Sequence, residues 1–424
     1  MKHTATQEIK GTSALILGYG REGRSVHVWL QKHYPSLRVA IADKKTDGDA
    51  YLEHIGDYDS VIRSPGVSPY SKKMQEYVQQ GGHVTTATNI FFSLVRGKTI
   101  GVTGTKGKST TSSLIAHILT AHYADVRLVG NIGTPMLDEL DSGNDDTVFV
   151  IELSSHQLVD IRYSPHIAVM LRIVFEHLDY YPDFASYVSA KSNIIKYQKP
   201  SDVVVYNPKH HEVAAIAQTG KSTRHPFHME NTVMFPTHVL GNAENIAAAT
   251  TVSRLLGVSE SVMKRQLESF TPLPHRLEYV GQYHRIRFYN DSLATIPQAT
   301  IHALDALGED VGTLIAGGYD RHLDYRELGL YVGNHPVGAL ILFPDTGKRI
   351  WEVLPERARK QIRVYHVGSM EEAVRLAYAH TPKGNICVLS PGSASYNMFR
   401  NYADRGDQFK EWVRKLGSLP SESA

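Results

Sequence analysis

The chain has 424 residues, enough for about three domains at roughly 150 residues each, and every one of them can bury its own core. With 42% hydrophobic, 21% charged and 9% aromatic residues, it has the make-up of a folded globular protein, which excludes disordered and fibrous classes. A net charge of +2, from 45 Lys plus Arg against 43 Asp plus Glu, gives no long-range field for nucleic acid or an anionic membrane, so any anion must be gripped locally.

Residues Met1 to Lys10 are polar, and no apolar run approaches the roughly 20 residues that span a bilayer. The one cysteine, Cys387, lies in Ile386-Cys387-Val388-Leu389 and reads as a buried thiol in a reducing compartment. A cytoplasmic protein is expected. The 22 histidines are scattered, with no HExxH motif or Cys/His cluster.

In chain order, residues 13–18 (Ser-Ala-Leu-Ile-Leu-Gly) read as a buried strand entering a glycine turn, followed by a helix through Val26, Trp29 and Leu30. A second strand, Arg38 to Ala42, ends at Asp43, about 20 residues past the glycines, where dinucleotide folds keep a ribose-binding acid. Strand Ser60 to Arg63 runs into the turn Ser64-Pro65-Gly66-Val67. These elements predict a nucleotide-binding first domain over residues 1–95.

Lys98 to Thr103 reads as a strand delivering the chain into Gly104-Thr105-Lys106-Gly107-Lys108-Ser109-Thr110, with a helix from Ser109 to about His122. Further strands are expected at 147–152, 166–171 and 202–206, alternating with helices, which predicts a mostly parallel central sheet over residues 96–271. The pattern restarts after residue 271, with strands near 286–289, 313–316, 339–343, 364–367 and 386–389, giving a third α/β domain over 272–424. No repeat of solenoid period is present.

The lysine loop carries the strongest chemistry. Backbone N–H groups of a glycine-rich loop at a helix N-terminus point at an anion, Lys108 can reach outer phosphates, and the Ser109 hydroxyl can ligate Mg²⁺. Counted from Gly104, the loop is shorter than the usual GxxxxGK[ST] form. Glu152, in Glu152-Leu153-Ser154-Ser155-His156-Gln157, stands at the end of an apolar strand on the same sheet edge and can complete Mg²⁺ coordination. Phe175-Glu176-His177-Leu178-Asp179, again after a strand, and Ala190-Lys191-Ser192 on a helix offer groups for a second Mg²⁺, although each alone has a bland surface reading.

With GTKGKST, ELSSHQL, EHLDYY and AK in that order, the chain resembles the Mur ligase superfamily over nearly its whole length. The resemblance implies a Rossmann-like N-terminal UDP-binding domain, a central P-loop ATPase-type domain and a Rossmann-like C-terminal domain. It further implies an amide-bond-forming ligase that uses ATP to make an acyl phosphate, which an incoming amine then displaces. Leu389 to Ser395 with Phe399, Asn401, Tyr402 and Arg405-Gly406 resembles the C-terminal segment of the member that adds D-glutamate to UDP-N-acetylmuramoyl-L-alanine; residues 273–278 and 290–295 and Gly317-Gly318-Tyr319-Asp320-Arg321 fit the same member.

By this resemblance Lys108 stabilises transferred phosphoryl charge, Ser109 and Glu152 hold one Mg²⁺, His177 the second, and Lys191 carries a CO₂-derived carbamate as an anionic metal ligand. Residues Gly104 to Thr110 would cradle ATP, with Asn242 and Asn245 at the adenine and Arg276 and Asp291 closing on the nucleotide from the third domain. Gly20, Arg21 and Glu22 would meet the UDP diphosphate, Asp43 and Ser64 the uridine, and Asn131 and Ser154 the muramoyl end. Arg321, Thr295, Ser395, Tyr396 and Tyr402 would hold the amino acid. A monomer without nucleic-acid or membrane partners is implied.

Leu293 and Arg321 stand where lysines are usual, and an arginine can grip a carboxylate bidentately with a different reach. These departures keep three alternatives open: a Mur-type ligase for another amino acid or L-glutamate, a folylpolyglutamate-synthase-like ligase, and a non-catalytic nucleotide-binding protein. The loop Gly18 to Gly23 alone would also suit a dinucleotide oxidoreductase.

Overall fold

The computed structural model describes residues 6–174, 180–228, 243–270 and 274–419. Among these, residues 6–228 and 243–270 form one compact unit and residues 274–419 another.

The first unit holds two sheets. In the first, β1 (Ser13–Leu17), β2 (Arg38–Ala42), β3 (Ser60–Arg63) and β4 (Val84–Thr85) lie in the order β2-β1-β3-β4, all parallel. The second contains β5 (Lys98–Thr103), β6 (Val126–Gly130), β7 (Val148–Glu152), β8 (Ile167–Met170), β9 (Val203–Tyr206) and β10 (Thr223–Pro226), in the order β10-β9-β8-β5-β7-β6, also all parallel. Every residue of β1, β7 and β8 is buried, as expected for parallel strands covered on both faces. Ala14, Ile16 and Phe91 share one hydrophobic cluster with Phe149, Ile151 and Met170, so the two sheets pack on a common core. The Phe91 and Phe149 rings meet edge to face, 5.3 Å between centroids.

The second unit holds β11 (Glu278–Tyr283), β12 (Ile286–Asn290), β13 (Val311–Gly317), β14 (Ala339–Phe343), β15 (Arg363–His366) and β16 (Ile386–Leu389), in the order β11-β12-β16-β13-β14-β15. All neighbours are parallel except β11, which pairs antiparallel with β12. Two hydrophobic clusters cover the faces of this sheet, one through Leu314, Leu340 and Val388, the other through Phe288, Ile341 and Phe409.

Three strands have weak sequence signals. β6 runs from three half-buried residues into the buried Val129 and Gly130, and β10 is an exposed edge strand that tolerates Pro226. β11 joins β12 through the two-residue turn His284-Arg285, whose φ angles of +50° and +67° are those of a primed hairpin without the usual Asn-Gly.

In all three sheets the chain reverses its direction of strand addition next to a loop of interest. Gly18 and Ser64 follow the adjacent strands β1 and β3, the lysine loop follows β5 between β7 and β8, and residues 390–395 follow β16 between β12 and β13. Such crevices at the carboxyl ends of strands are where open α/β sheets bind ligands.

Candidate active site

The helix Lys108–Leu119 begins on Gly107, whose left-handed φ of +83° and position against Asn245 leave no room for a side chain: a Cβ there would lie 2.3 Å from Asn245 Oδ1. Asn245, on the helix Ala243–Leu255, therefore backs the loop. Lys108 Nζ donates to the carbonyls of Gly104 and Thr105 at 3.1 and 2.8 Å. Lys191 Nζ, on the helix Phe184–Lys196 and only 1% exposed, donates to the same Gly104 carbonyl at 2.7 Å. Thr105 Oγ1 meets the Tyr187 hydroxyl at 2.9 Å and donates to the Val174 carbonyl at 3.0 Å, so that helix also pins the loop's side chain. Ser109 is buried at the first turn, while Lys106 and Thr110 are partly exposed.

Glu152 ends β7, one strand from the loop, with Val102 of β5 as its register partner. It is 1% exposed; Oε1 accepts from Asn131 Nδ2 at 2.6 Å, and Oε2 has no hydrogen-bond partner among the described residues. A buried carboxylate oxygen left in this state suits a cation. No group of three His, Cys, Asp or Glu side chains among the described residues could hold a metal by itself.

The loops of the first sheet face this edge. Ser64 Oγ donates to the Gly18 carbonyl at 2.6 Å, joining the two loops at the switch point. Gly20 precedes the helix Arg21–His33, and the Arg21 guanidinium donates to the Gly133 carbonyl in the loop that carries Asn131. Glu22 Oε1 accepts from Gln157 Nε2 at 2.6 Å. Gln157 Oε1 accepts in turn from the backbone N–H and hydroxyl of Ser154, both at 2.9 Å, completing a capping box two residues past Glu152. Burial raises the Glu22 carboxyl to about 7 against the opposing effects of Gln157, Arg63 and Arg21. Asp43 caps the next turn: its carboxylate accepts from the Lys45 and Tyr19 backbone N–H groups, which hold its pKa below the ordinary value. Both Asp43 oxygens are thus engaged locally.

In the second unit, Asp291 follows β12; its oxygens accept from Leu277 N–H at 3.2 Å and Ser390 Oγ at 2.7 Å, and burial raises its carboxyl to about 7. Arg276 is partly exposed next to that segment. Gly318 brings the 317–321 turn onto the 393–396 loop: a Cβ on it would lie 2.3 Å from the Ala394 carbonyl. Arg321 Nη2 donates to the Thr295 carbonyl at 3.2 Å, and the Tyr319 and Tyr396 rings meet at 6.2 Å. Tyr396 and Tyr402 are exposed and Ser395 is buried. Thus Thr295, Arg321, Ser395 and Tyr396 all follow the carboxyl ends of β12, β13 and β16.

His177 and Asn242 lie outside the described residues. The sequence offers Arg405 only as part of the C-terminal motif and gives it no role; it is a fully buried guanidinium that donates to Ser292 Oγ and the carbonyls of Ser292, Ser393 and Ala394. Burial lowers its pKa to about 9 although Asp291 opposes the shift. Arg63 and Gln157 likewise stand in the sequence only as the end of a strand and the end of the Glu152 motif, with no role attached. A single arginine or glutamine carries no signal of burial, because its partners come from distant parts of the chain.

A parallel sheet that places a lysine loop at its switch point, beside a buried carboxylate with an unpartnered oxygen, defines a phosphate-handling α/β protein. The chain belongs to the Mur ligase family. Residues 102–253 match the Mur ligase middle domain, and residues 275–393 match the Mur ligase glutamate ligase domain. The UDP-N-acetylmuramoylalanine–D-glutamate ligase of Acetivibrio thermocellus is 32% identical over 87% of this chain and 85% of its own length. The UDP-N-acetylmuramoyl-L-alanine–L-glutamate ligase of Salinispora tropica is 33% identical over 96% of this chain and 98% of its own. Among solved structures, the MurF ligase of Thermotoga maritima in complex with ADP has the same fold, with a TM-score of 0.59 and 16% identity over 95% of this chain and 94% of that one.

Proposed function

We propose that this protein is an ATP-dependent ligase that joins D-glutamate to UDP-N-acetylmuramoyl-L-alanine through an acyl phosphate, in the synthesis of peptidoglycan precursors. The observation that carries the reading is the convergence of Lys108 and Lys191 on the Gly104 carbonyl, one strand from the unpartnered oxygen of Glu152. The D-glutamate ligases among its relatives, about 30% identical over 87% of the chain, supply the substrate.

In this reading the substrate carboxylate attacks the terminal phosphorus of ATP and ADP leaves; the glutamate amine then attacks the acyl carbon, and phosphate leaves as the amide forms. Backbone N–H groups of Gly104 to Thr110 hold the phosphates, and Lys108 meets the charge that builds up on the transferred group. Ser109 and Glu152 would hold one Mg²⁺ and His177 a second, with a carbamate on Lys191 as a further ligand. Bound there, Mg²⁺ neutralises phosphate charge. Asn131 orients Glu152 through its 2.6 Å hydrogen bond. Asn242, Asn245, Arg276 and Asp291 serve the nucleotide. Gly20, Arg21, Glu22, Asp43, Ser64 and Ser154 serve the UDP substrate, and Arg321, Thr295, Ser395, Tyr396 and Tyr402 the amino acid.

The domain limits proposed are 1–95, 96–271 and 272–424, in keeping with one sheet in each. A cytoplasmic monomer is proposed; among the described residues no helix is long and apolar enough to cross a membrane.

A second reading differs in stereochemistry. Two relatives named as L-glutamate ligases align over 96% and 98% of this chain, at 33% and 32% identity, which favours L-glutamate as the alternative amino acid. Phosphate release with UDP-N-acetylmuramoyl-L-alanine, ATP and either enantiomer decides between them. Release that depends on L- but not D-glutamate overturns the first reading, and release that requires neither overturns both.

A further inference from the structure

Arg63 ends β3, its side chain is fully buried, and its guanidinium draws together three separate segments of the first unit. Nε and Nη2 donate to Asp160 Oδ2 and Oδ1 at 2.9 and 2.8 Å, a bidentate pair. Nη2 also donates to the His156 carbonyl at 3.1 Å. Nη1 donates to the Ser64 and Val67 carbonyls at 3.2 and 2.7 Å and to the Tyr180 hydroxyl at 3.1 Å. The Tyr180 hydroxyl in turn donates to the Pro65 carbonyl at 3.0 Å, and its ring stands edge-on to His156 at 4.0 Å.

Apart from Tyr180, the segments fall into two groups. Ser64, Pro65 and Val67 form the loop at the switch point of the first sheet, where the UDP end of the substrate is read. His156 and Asp160 belong to the turn and short helix that follow Glu152 and Ser154 in the second sheet. A buried ion pair is weak evidence for stability, since well-packed apolar groups would serve as well; its better-attested use is to fix register. The fork geometry supplies that use here, because a guanidinium with all of its N–H donors engaged allows only one mutual placement of loop and turn. The Glu22–Gln157 hydrogen bond spans the same two sheets and ends on Ser154, two residues from Glu152.

We infer that Arg63 is a positioning residue for the ligase reaction: it sets the first-sheet substrate loop against the Glu152 motif, so that a UDP-linked carboxylate is presented to the phosphate loop in one register. The inference rests on the ligase reading and deepens it.

The test uses the full chain and measures phosphate release while UDP-N-acetylmuramoyl-L-alanine, ATP and glutamate are varied in turn. Arg63→Lys keeps the charge and loses the fork; it is expected to lower kcat/KM for the UDP substrate by about 30-fold while the KM for ATP stays within about twofold. Arg63→Ala is expected to regain at least about tenfold with millimolar guanidinium, which leaves the wild type unchanged. Tyr180→Phe removes one hydroxyl without emptying the site and should raise the UDP-substrate KM by about three- to tenfold at an unchanged melting temperature; it decides the matter if the arginine variants do not fold. Equal losses for ATP and the UDP substrate, or unchanged UDP-substrate kinetics in folded Arg63→Lys or Tyr180→Phe, would overturn the inference alone. A wild type that releases no phosphate would overturn the ligase reading and the inference with it.

Discussion

The Gly104 carbonyl oxygen accepts hydrogen bonds from two lysines, Lys108 at 3.1 Å and Lys191 at 2.7 Å. One comes from the helix that the loop itself begins, the other from a helix packed beside it. Two lysine amines thus converge on one peptide oxygen at the sheet's switch point, and a carbamate on Lys191 would place an anionic oxygen donor beside Lys108 there.

Lys108→Ala should lower kcat by about 10²- to 10³-fold, the range seen when a group that meets transition-state charge is removed. The side chain is not part of the core, so circular dichroism should report an unchanged fold. A folded variant that turns over at the wild-type rate would refute the role given to it.

Lys191 is predicted to react with CO₂. Protein equilibrated with ¹³C-bicarbonate should show a carbamate ¹³C resonance that is missing from Lys191→Ala. A short carboxylic acid should partly restore turnover to that variant by filling the vacated space with an anionic oxygen donor. Identical spectra for the two proteins would count against the carbamate whatever the kinetics.

Glu22 makes stability depend on pH. Its carboxyl is raised by burial from 4.5 to about 7 in the folded protein. Between those values the folded state keeps a proton that the unfolded state has lost, so this group's contribution to stability falls as pH rises from about 4.5 to 7 and is level above. Glu22→Gln removes the charge, so it should be more stable than the wild type above pH 7, by at most about 3 kcal/mol, with the gap closing towards pH 4.5. Melting curves across that range test the sign; a gap that widens on acidification contradicts it.

Arg321 should govern amino-acid affinity. Removing its guanidinium with Arg321→Ala is predicted to raise the glutamate KM by about 10- to 100-fold, the equivalent of one charge-assisted contact, and to leave the ATP KM unchanged. Gly318→Ala should act in the same direction, because the new Cβ would collide with the Ala394 carbonyl, 2.3 Å away, and displace the loop that bears Ser395. Glutamate saturation curves that match the wild type in both variants would remove this segment from the site.

Local chemistry was enough to read much of this protein from its residues. Buried parallel strands read as largely apolar runs, so β1, β3, β5, β14 and β16 stand within a residue of where the sequence puts them, and the half-exposed edge strand β2 matches as well. The lysine loop was equally legible, since a glycine-rich turn between strand and helix is a local device. β11 was not, because its turn at His284-Arg285 adopts left-handed backbone without a glycine, an outcome imposed by the pairing with β12 rather than by the turn residues. Which groups meet was decided only by the fold. Lys191 reaches Gly104, Asn131 reaches Glu152, and Arg63 reaches Asp160 across 87, 21 and 97 positions of sequence. Residue type specifies what each of these groups can donate or accept; strand order, which rests on the packing of whole sheets, specifies to whom.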